Sequence, residues 1–161
     1  YKPAIVRGNA SEIIALAALW GAEGDAGDLG RARGVDSTDT VAAARTAAVA
    51  LARKTGGAVA VSGEKDLVTN GNAIAYSTGG SALMEKVTGF GCSQGGVLAV
   101  YACEADPFTA AVAGVAHYNV AGARAAKTAT APASFKVAFI DELFRATPED
   151  IAGNPLVLEE A

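Results

Sequence analysis

Cysteine and histidine are scarce in this sequence: there are two cysteines, Cys92 and Cys103, and a single histidine, His117. No Cys/His set has metal-ligand spacing, which removes a structural zinc site. So few thiols fit a reducing, cytoplasmic compartment. Net positive charge is missing as well. Lys and Arg number 13 against 17 Asp and Glu, for a formal net charge of -4 and a pI of about 5.0. The cations are scattered rather than striped, so there is no electrostatic footprint for nucleic acid, and any bound phosphate has to be held locally. Long apolar runs are lacking too. The two longest uncharged ones, residues 87–103 and 107–123, are interrupted by Gly, Gln, His or Asn and fall short of the roughly 20 residues that cross a bilayer. They read as buried helices. The chain opens on Tyr1 rather than Met and carries no charged segment followed by an apolar core. It runs almost at once into a buried-strand pattern, so it is expected to begin inside a domain.

What is present is enough for a folded, soluble domain: 161 residues, of which 51% are apolar, suffice for one domain, residues 1–161, with a single core. Residues 4–7 form a short apolar run after Pro3 and before Gly8, as in a buried strand of a parallel sheet. Asn9 then suits a helix N-cap with Glu12 three residues on, a capping-box arrangement. That helix is expected to reach Trp20 with Ile13, Leu16 and Trp20 on its buried face. Residues 21–34 hold five glycines and no apolar period, so they read as a loop. Ser37 or Thr38 caps a second helix that stops before Gly56 and Gly57.

A strand over residues 58–61 follows, and then a hairpin of residues 66–69 and 73–77 turning at Asn70 and Gly71, expected at the sheet edge. Gly79 and Gly80 open a loop through Lys86, and a glycine-rich connection leads into a helix ending near Glu104. Asp106 and Pro107 give an N-cap with Pro at the first helical position of a helix ending near Lys127. Ser134 is read as capping a helix that carries Phe135, Phe139, Leu143 and Phe144, and Thr147 with Pro148 starts a short last one. Glu159 and Glu160 read as a solvated tail. The order of elements is that of an α/β sandwich, in its carboxy-terminal half.

Three places carry chemistry. The first is Lys86-Val-Thr-Gly-Phe-Gly-Cys92, where Gly89 and Gly91 let backbone approach a ligand and the helix start offers free amides and a dipole to a phosphate. The same glycines equally suit a tight connection that only lets a helix pack. Cys92 stands at that helix start, where a thiolate is favoured and could take a proton from an alcohol attacking a γ-phosphate. An isolated cysteine is more often a small buried side chain, and Cys103 is read that way. The second place is Arg7-Gly-Asn-Ala-Ser-Glu12, at the carboxyl end of a strand, where open α/β sheets bind ligands. Arg7 can pair with phosphate oxygens and Glu12 can hold Mg²⁺. Read on the residues alone, a cap-forming Glu12 and a surface ion pair for Arg7 are preferred. The third is His117, which has no acidic or nucleophilic partner nearby in sequence and is expected to be a hydrogen-bonded core or interface residue.

Taken together, Lys2-Pro-Ala-Ile-Val-Arg-Gly-Asn-Ala-Ser-Glu-Ile13, Gly34-Val-Asp-Ser37, Val59-Ala-Val-Ser-Gly-Glu64 with Asp66, and Lys86-Val-Thr-Gly-Phe-Gly-Cys92 stand in an order and spacing that resemble the hydroxyethylthiazole kinases. The similarity covers nearly the whole chain. It implies a ribokinase-like α/β sandwich with a mainly parallel sheet flanked by helices, of which the amino-terminal part is absent here. It also implies transfer of the γ-phosphoryl of ATP, with Mg²⁺, to the hydroxyl of 4-methyl-5-(2-hydroxyethyl)thiazole in thiamine salvage, by a cytoplasmic homotrimer. Cys92 matches the catalytic cysteine, and Arg7 and Ser62 match nucleotide-binding positions. Asn9 and Glu12 match the metal and phosphate motif, with Glu12 as metal ligand. Thr88 and Gly91 fall on the phosphate side, and Gly89 supplies a thiazole-contacting backbone. Ser62 stands where Thr is usual, and Arg33 where Lys commonly precedes Gly34. Related hydroxymethylpyrimidine phosphate kinases resemble an aspartate-bearing motif at this anion hole, and Cys92 argues against them. A nucleotide-binding fragment without activity is the reading from another class.

Overall fold

The computed structural model describes residues 2–22 and 37–161, with side chains from residue 43 onward in the second stretch. Most of the expected glycine-rich loop, with Arg33 and the Gly34-Val-Asp block, lies outside the described residues. The chain divides into two compact units, Tyr1–Tyr76 with Leu158–Ala161, and Ser77–Val157.

The first unit begins with β1 (Ile5–Asn9), α1 (Ala10–Leu19), α2 (Ser37–Thr55), β2 (Ala58–Ser62) and β3 (Lys65–Thr69). β1 pairs with β2 in parallel, Ile5 opposite Ala58 through Asn9 opposite Ser62. Their starts come so close that a Cβ on Gly57 would run into the carbonyl of Ala4, and Ala58 donates its N–H to that carbonyl at 2.9 Å. α2 buries Ala44, Ala47, Ala48, Leu51 and Ala52, the i, i+3, i+4, i+7, i+8 stripe of an amphipathic helix. Small alanines let it lie near the sheet, where it packs with Ile13, Val59, Leu67 and Ile74 in one core. Burying Leu51 alone is worth about 1.5–3 kcal/mol. α2 then stops at Gly56, whose φ of 74° is the left-handed conformation of a helix terminator.

The hairpin is β3 with β4 (Ala73–Thr78), and a further strand, β5 (Leu156–Glu160), lies beyond it. The five strands are ordered β1-β2-β3-β4-β5. The expected mainly parallel sheet is therefore corrected to a mixed one. β2 and β3 are antiparallel, and a three-residue turn between β3 and β4 leaves no room for a parallel crossover. Thr78 N–H donates to Pro155 and Ala161 N–H to Asn72, an opposed register that makes β5 antiparallel to β4 also. The hairpin is not at a sheet edge; among the described residues the outer strands are β1 and β5. Glu159 and Glu160, read as a solvated tail, are solvent-exposed but belong to this strand.

The second unit contains a short 3₁₀ helix at Ala82–Lys86, where a loop was expected, then α3 (Phe90–Tyr101), α4 (Pro107–Ala125), α5 (Pro132–Arg145) and α6 (Pro148–Ala152). Asp106 caps α4 by accepting from the N–H groups of Phe108 and Thr109. Its carboxyl is held below the usual range chiefly by hydrogen bonding from Thr109. α5 starts earlier than expected. Pro132 takes the first turn behind Ala131, and Ser134 turns its hydroxyl back onto the Ala131 carbonyl at 3.0 Å instead of capping. Phe90, Tyr118, Phe135 and Phe139 form an aromatic core in this unit, with Phe90 and Phe139 edge to face at 4.3 Å. Among the described residues no helix is long and apolar enough to cross a membrane.

Candidate functional site

The residues singled out from sequence fall into two groups, one in each unit. In the first unit, the side chain of Arg7, in the middle of β1, meets that of Ser62, the last residue of β2. Arg7 Nη2 donates to Ser62 Oγ at 2.7 Å, and Ser62 Oγ reaches the Gly8 carbonyl at 3.4 Å. Asn9 closes β1 and opens α1 as its N-cap. Its Oδ1 accepts from Glu12 N–H at 2.9 Å and from Ser11 Oγ at 2.8 Å. Glu12 Oε2 accepts from Asn9 N–H at 2.7 Å. The capping box expected from Asn9 and Glu12 is thus complete, while Glu12 stays exposed to solvent. Trp20 does not join the buried face of α1: it is 41% exposed, and Ala17 at 2% takes the inner position.

In the second unit, Gly89 is the N-cap of α3, with φ of 78° and no side-chain cap. Phe90 N–H donates to the Val87 carbonyl and Ser93 N–H to that of Gly89. The N–H groups of Gly91 and Cys92 have no hydrogen-bond partner among the described residues. They occupy the first turn, where an α-helix leaves donors unsatisfied and the dipole is positive. Thr88, Gly89, Gly91 and Cys92 are all exposed, so this turn presents two amides, a thiol and a hydroxyl to solvent. Chemically, such a turn can receive an anion and offer it a neighbouring proton acceptor.

Cys103, read as buried, is exposed, its Sγ directed to the Ala99 carbonyl at 3.4 Å. His117 is hydrogen-bonded on both sides. Nε2 lies 2.8 Å from the Leu143 carbonyl, which only accepts, so Nε2 carries the proton and Nδ1 accepts from the Tyr101 hydroxyl at 3.0 Å. Burial holds the Tyr101 phenol above its ordinary range. One contact at this turn has no signature in the local sequence. The Tyr118 hydroxyl, on α4, reaches the Phe90 carbonyl at 2.6 Å, a contact spanning 28 residues that no local pattern announces.

Residues 1–149 match the model of the hydroxyethylthiazole kinase family. The chain is 45% identical over 175 aligned positions to a hydroxyethylthiazole kinase of Bifidobacterium longum (strain DJO10A), covering 98% of this chain and 55% of that protein. It belongs to the hydroxyethylthiazole kinase family. A second relative of that name, from Cereibacter sphaeroides (strain ATCC 17025 / ATH 2.4.3), is 47% identical over 150 positions, 93% of this chain and 54% of the relative. The solved structure of hydroxyethylthiazole kinase protein from Pyrococcus horikoshii OT3 superposes with a TM-score of 0.75 at 25% identity, over 98% of this chain and 54% of that one. The chain therefore spans about half the length of the relatives it matches. The family's α/β architecture accounts for the five-stranded sheet with flanking helices.

Proposed function

We propose that the protein is a kinase that transfers the γ-phosphoryl of ATP to the hydroxyl of 4-methyl-5-(2-hydroxyethyl)thiazole, working in the cytoplasm as a homotrimer with one ribokinase-like kinase domain per chain. The observation that carries this reading is the first turn of α3, where two unpartnered amides and Cys92 are presented together in a chain of this family. Phosphoryl transfer asks little covalent chemistry of a protein; it asks for positioning and for stabilised charge on the transferring group. The N–H groups of Gly91 and Cys92 are donors of that kind, and Thr88 adds a hydroxyl. Gly89, lacking a side chain, allows the thiazole close to backbone.

In this reading Cys92, as thiolate, takes the proton of the substrate hydroxyl while the alcohol oxygen bonds to the γ-phosphorus. The bond from that phosphorus to the β–γ bridging oxygen breaks, and ADP leaves with its electron pair. Arg7, Ser62 and Asn9 bind the nucleotide. Mg²⁺ suits the residues present. Glu12 is an exposed carboxylate with only Oε2 engaged by the cap, and no cluster of three acidic, His or Cys side chains occurs among the described residues. One carboxylate with phosphates and water completing the shell is how Mg²⁺ is commonly held on a nucleotide. When bound, the ion neutralises phosphate charge. The test is thiazole-dependent ADP release by the full-length protein and its Cys92→Ser variant. Turnover should fall about 10²- to 10⁴-fold with ATP binding retained; unchanged turnover removes Cys92 as the base.

A further inference from the structure

α3 starts badly by helical standards. Gly89 caps it without a side chain, and Gly91, Gly95 and Gly96 follow within the first two turns, each costing about 1 kcal/mol of propensity relative to Ala. A helix start of this composition, left alone, frays, and its free amides then point in no fixed direction. Something outside the helix has to hold the turn.

Two hydroxyls converge on one carbonyl there. Tyr118 Oη, on α4, lies 2.6 Å from the Phe90 carbonyl oxygen. Ser93 Oγ lies 2.8 Å from the same oxygen, and the two hydroxyls are 2.6 Å apart. Two protons serve three short contacts, so the group is a closed triangle in which each hydroxyl also holds the other in place. The Tyr118 side chain is fixed independently. It is 2% exposed, its ring edge-on to Phe90 at 5.7 Å and to Phe139 at 4.7 Å. Phe90 is the residue immediately before Gly91 and Cys92, so its peptide plane sets the direction of the next N–H.

We infer that Tyr118 and Ser93 are positioning residues which, through the carbonyl of Phe90, hold the first turn of α3 so that the Gly91 and Cys92 amides and the Cys92 thiol keep one orientation toward the phosphoryl group. The role rests on the proposed kinase reading, but the rigidity of the turn can be read without it. Tyr118→Phe keeps the ring and deletes the hydroxyl; Ser93→Ala, on an exposed residue, is the companion that is safe for folding.

The experiment measures kcat, KM for ATP and melting temperature in the full-length protein, and separately the rate at which iodoacetamide alkylates Cys92 in a Cys103→Ala background. For each variant kcat is expected to fall about tenfold, equivalent to about 1.4 kcal/mol in the activation barrier, with KM for ATP within about twofold and the melting temperature nearly kept. The double variant should lose much less than the product of the single losses, since both hydroxyls act on one carbonyl. The alkylation rate of Cys92 should shift severalfold in Tyr118→Phe. Unchanged kcat and alkylation in both variants overturns the inference, as does a kcat loss that only follows a large drop in melting temperature. If the unmutated protein shows no thiazole-dependent ADP release, the kinase reading fails, and the alkylation rates still decide whether Tyr118 and Ser93 fix the turn.

Discussion

Arg7 donates a hydrogen bond to Ser62 across two neighbouring parallel strands, Nη2 to Oγ at 2.7 Å, which ties a cation from β1 to a hydroxyl at the end of β2. Ser62 is the last residue of β2, at the carboxyl end where α/β sheets bind ligands, and the Arg7 side chain reaches it from two residues before the end of β1. The serine restrains a long, rotamer-rich side chain. Ser62→Ala removes the restraint and one hydrogen bond, about 1 kcal/mol, and should raise the KM for ATP about fivefold with a smaller effect on kcat. Ser62→Thr keeps the hydroxyl and should stay within twofold of the unmutated protein. Steady-state kinetics at varied ATP separates the two; equal behaviour of Ala and Thr variants would rule out a nucleotide-side role for the hydroxyl.

Glu12 has a structural and a proposed chemical role, and these separate by substitution. Glu12→Gln retains an oxygen that can accept from Asn9 N–H, so α1 should keep its cap and the protein its melting temperature. The amide cannot match a carboxylate toward a divalent cation, so the Mg²⁺ concentration for half-maximal activity should rise about tenfold or more. Asn9→Ala does the reverse to stability. It deletes the cap on Glu12 N–H, at about 1 kcal/mol, and melting should drop by about 2–4 °C. Thermal melts beside Mg²⁺ titrations make the comparison.

α6 is tied to α4 by the pair of Arg124 and Asp150, 2.5 Å apart with side chains 33% and 27% exposed. The Asp150 carboxyl is lowered to about 2, first by the hydrogen bond from Arg124 and then by the Thr147 amide. A carboxyl depressed by folding contributes stability that is whole above its unfolded value, about 3.9, and is lost as pH falls through about 2. Asp150→Asn should therefore lower the melting temperature at pH 5 and lower it less at pH 2, where the folded-state carboxyl is about half protonated. The pair is partly exposed, so the effect should be small and should shrink in added salt.

Elements set by their own residues were legible in the sequence. Asn9 with Glu12, Asn70-Gly71, Asp106-Pro107 and Thr147-Pro148 each satisfy or withhold particular backbone groups within four residues, and the structure starts or turns the chain at every one. What depended on distant partners was not. β5 gains its identity only by pairing with β4, about 80 residues earlier, and its side chains are all exposed, so no apolar alternation marks it. The sheet's mixed direction follows from where β3 and β4 lie next to β2, and no residue of β2 encodes that. Trp20 fits a helical period yet ends outside because α1 stops at Leu19. Within the candidate site, Cys92 and its glycines were visible as spacing, while the hydroxyl of Tyr118 was hidden inside an apolar run that reads as core.

His117 supplies the last test, because its two roles give opposite results. Its ring bridges three helices: Nδ1 to Tyr101 on α3 and Nε2 to the Leu143 carbonyl on α5, from a position on α4. Both nitrogens are spent on these contacts, and the neutral tautomer that serves them has no lone pair left to accept a substrate proton. His117→Ala should therefore act on stability alone. It strands the Leu143 carbonyl and the Tyr101 hydroxyl, each costing about 1–3 kcal/mol if left unpaired, partly relieved where water reaches them. The melting temperature should fall by about 5 °C or more, while kcat per folded molecule at 20 °C stays within twofold. A variant that melts normally but loses turnover would place His117 in the chemistry and refute a purely bridging histidine.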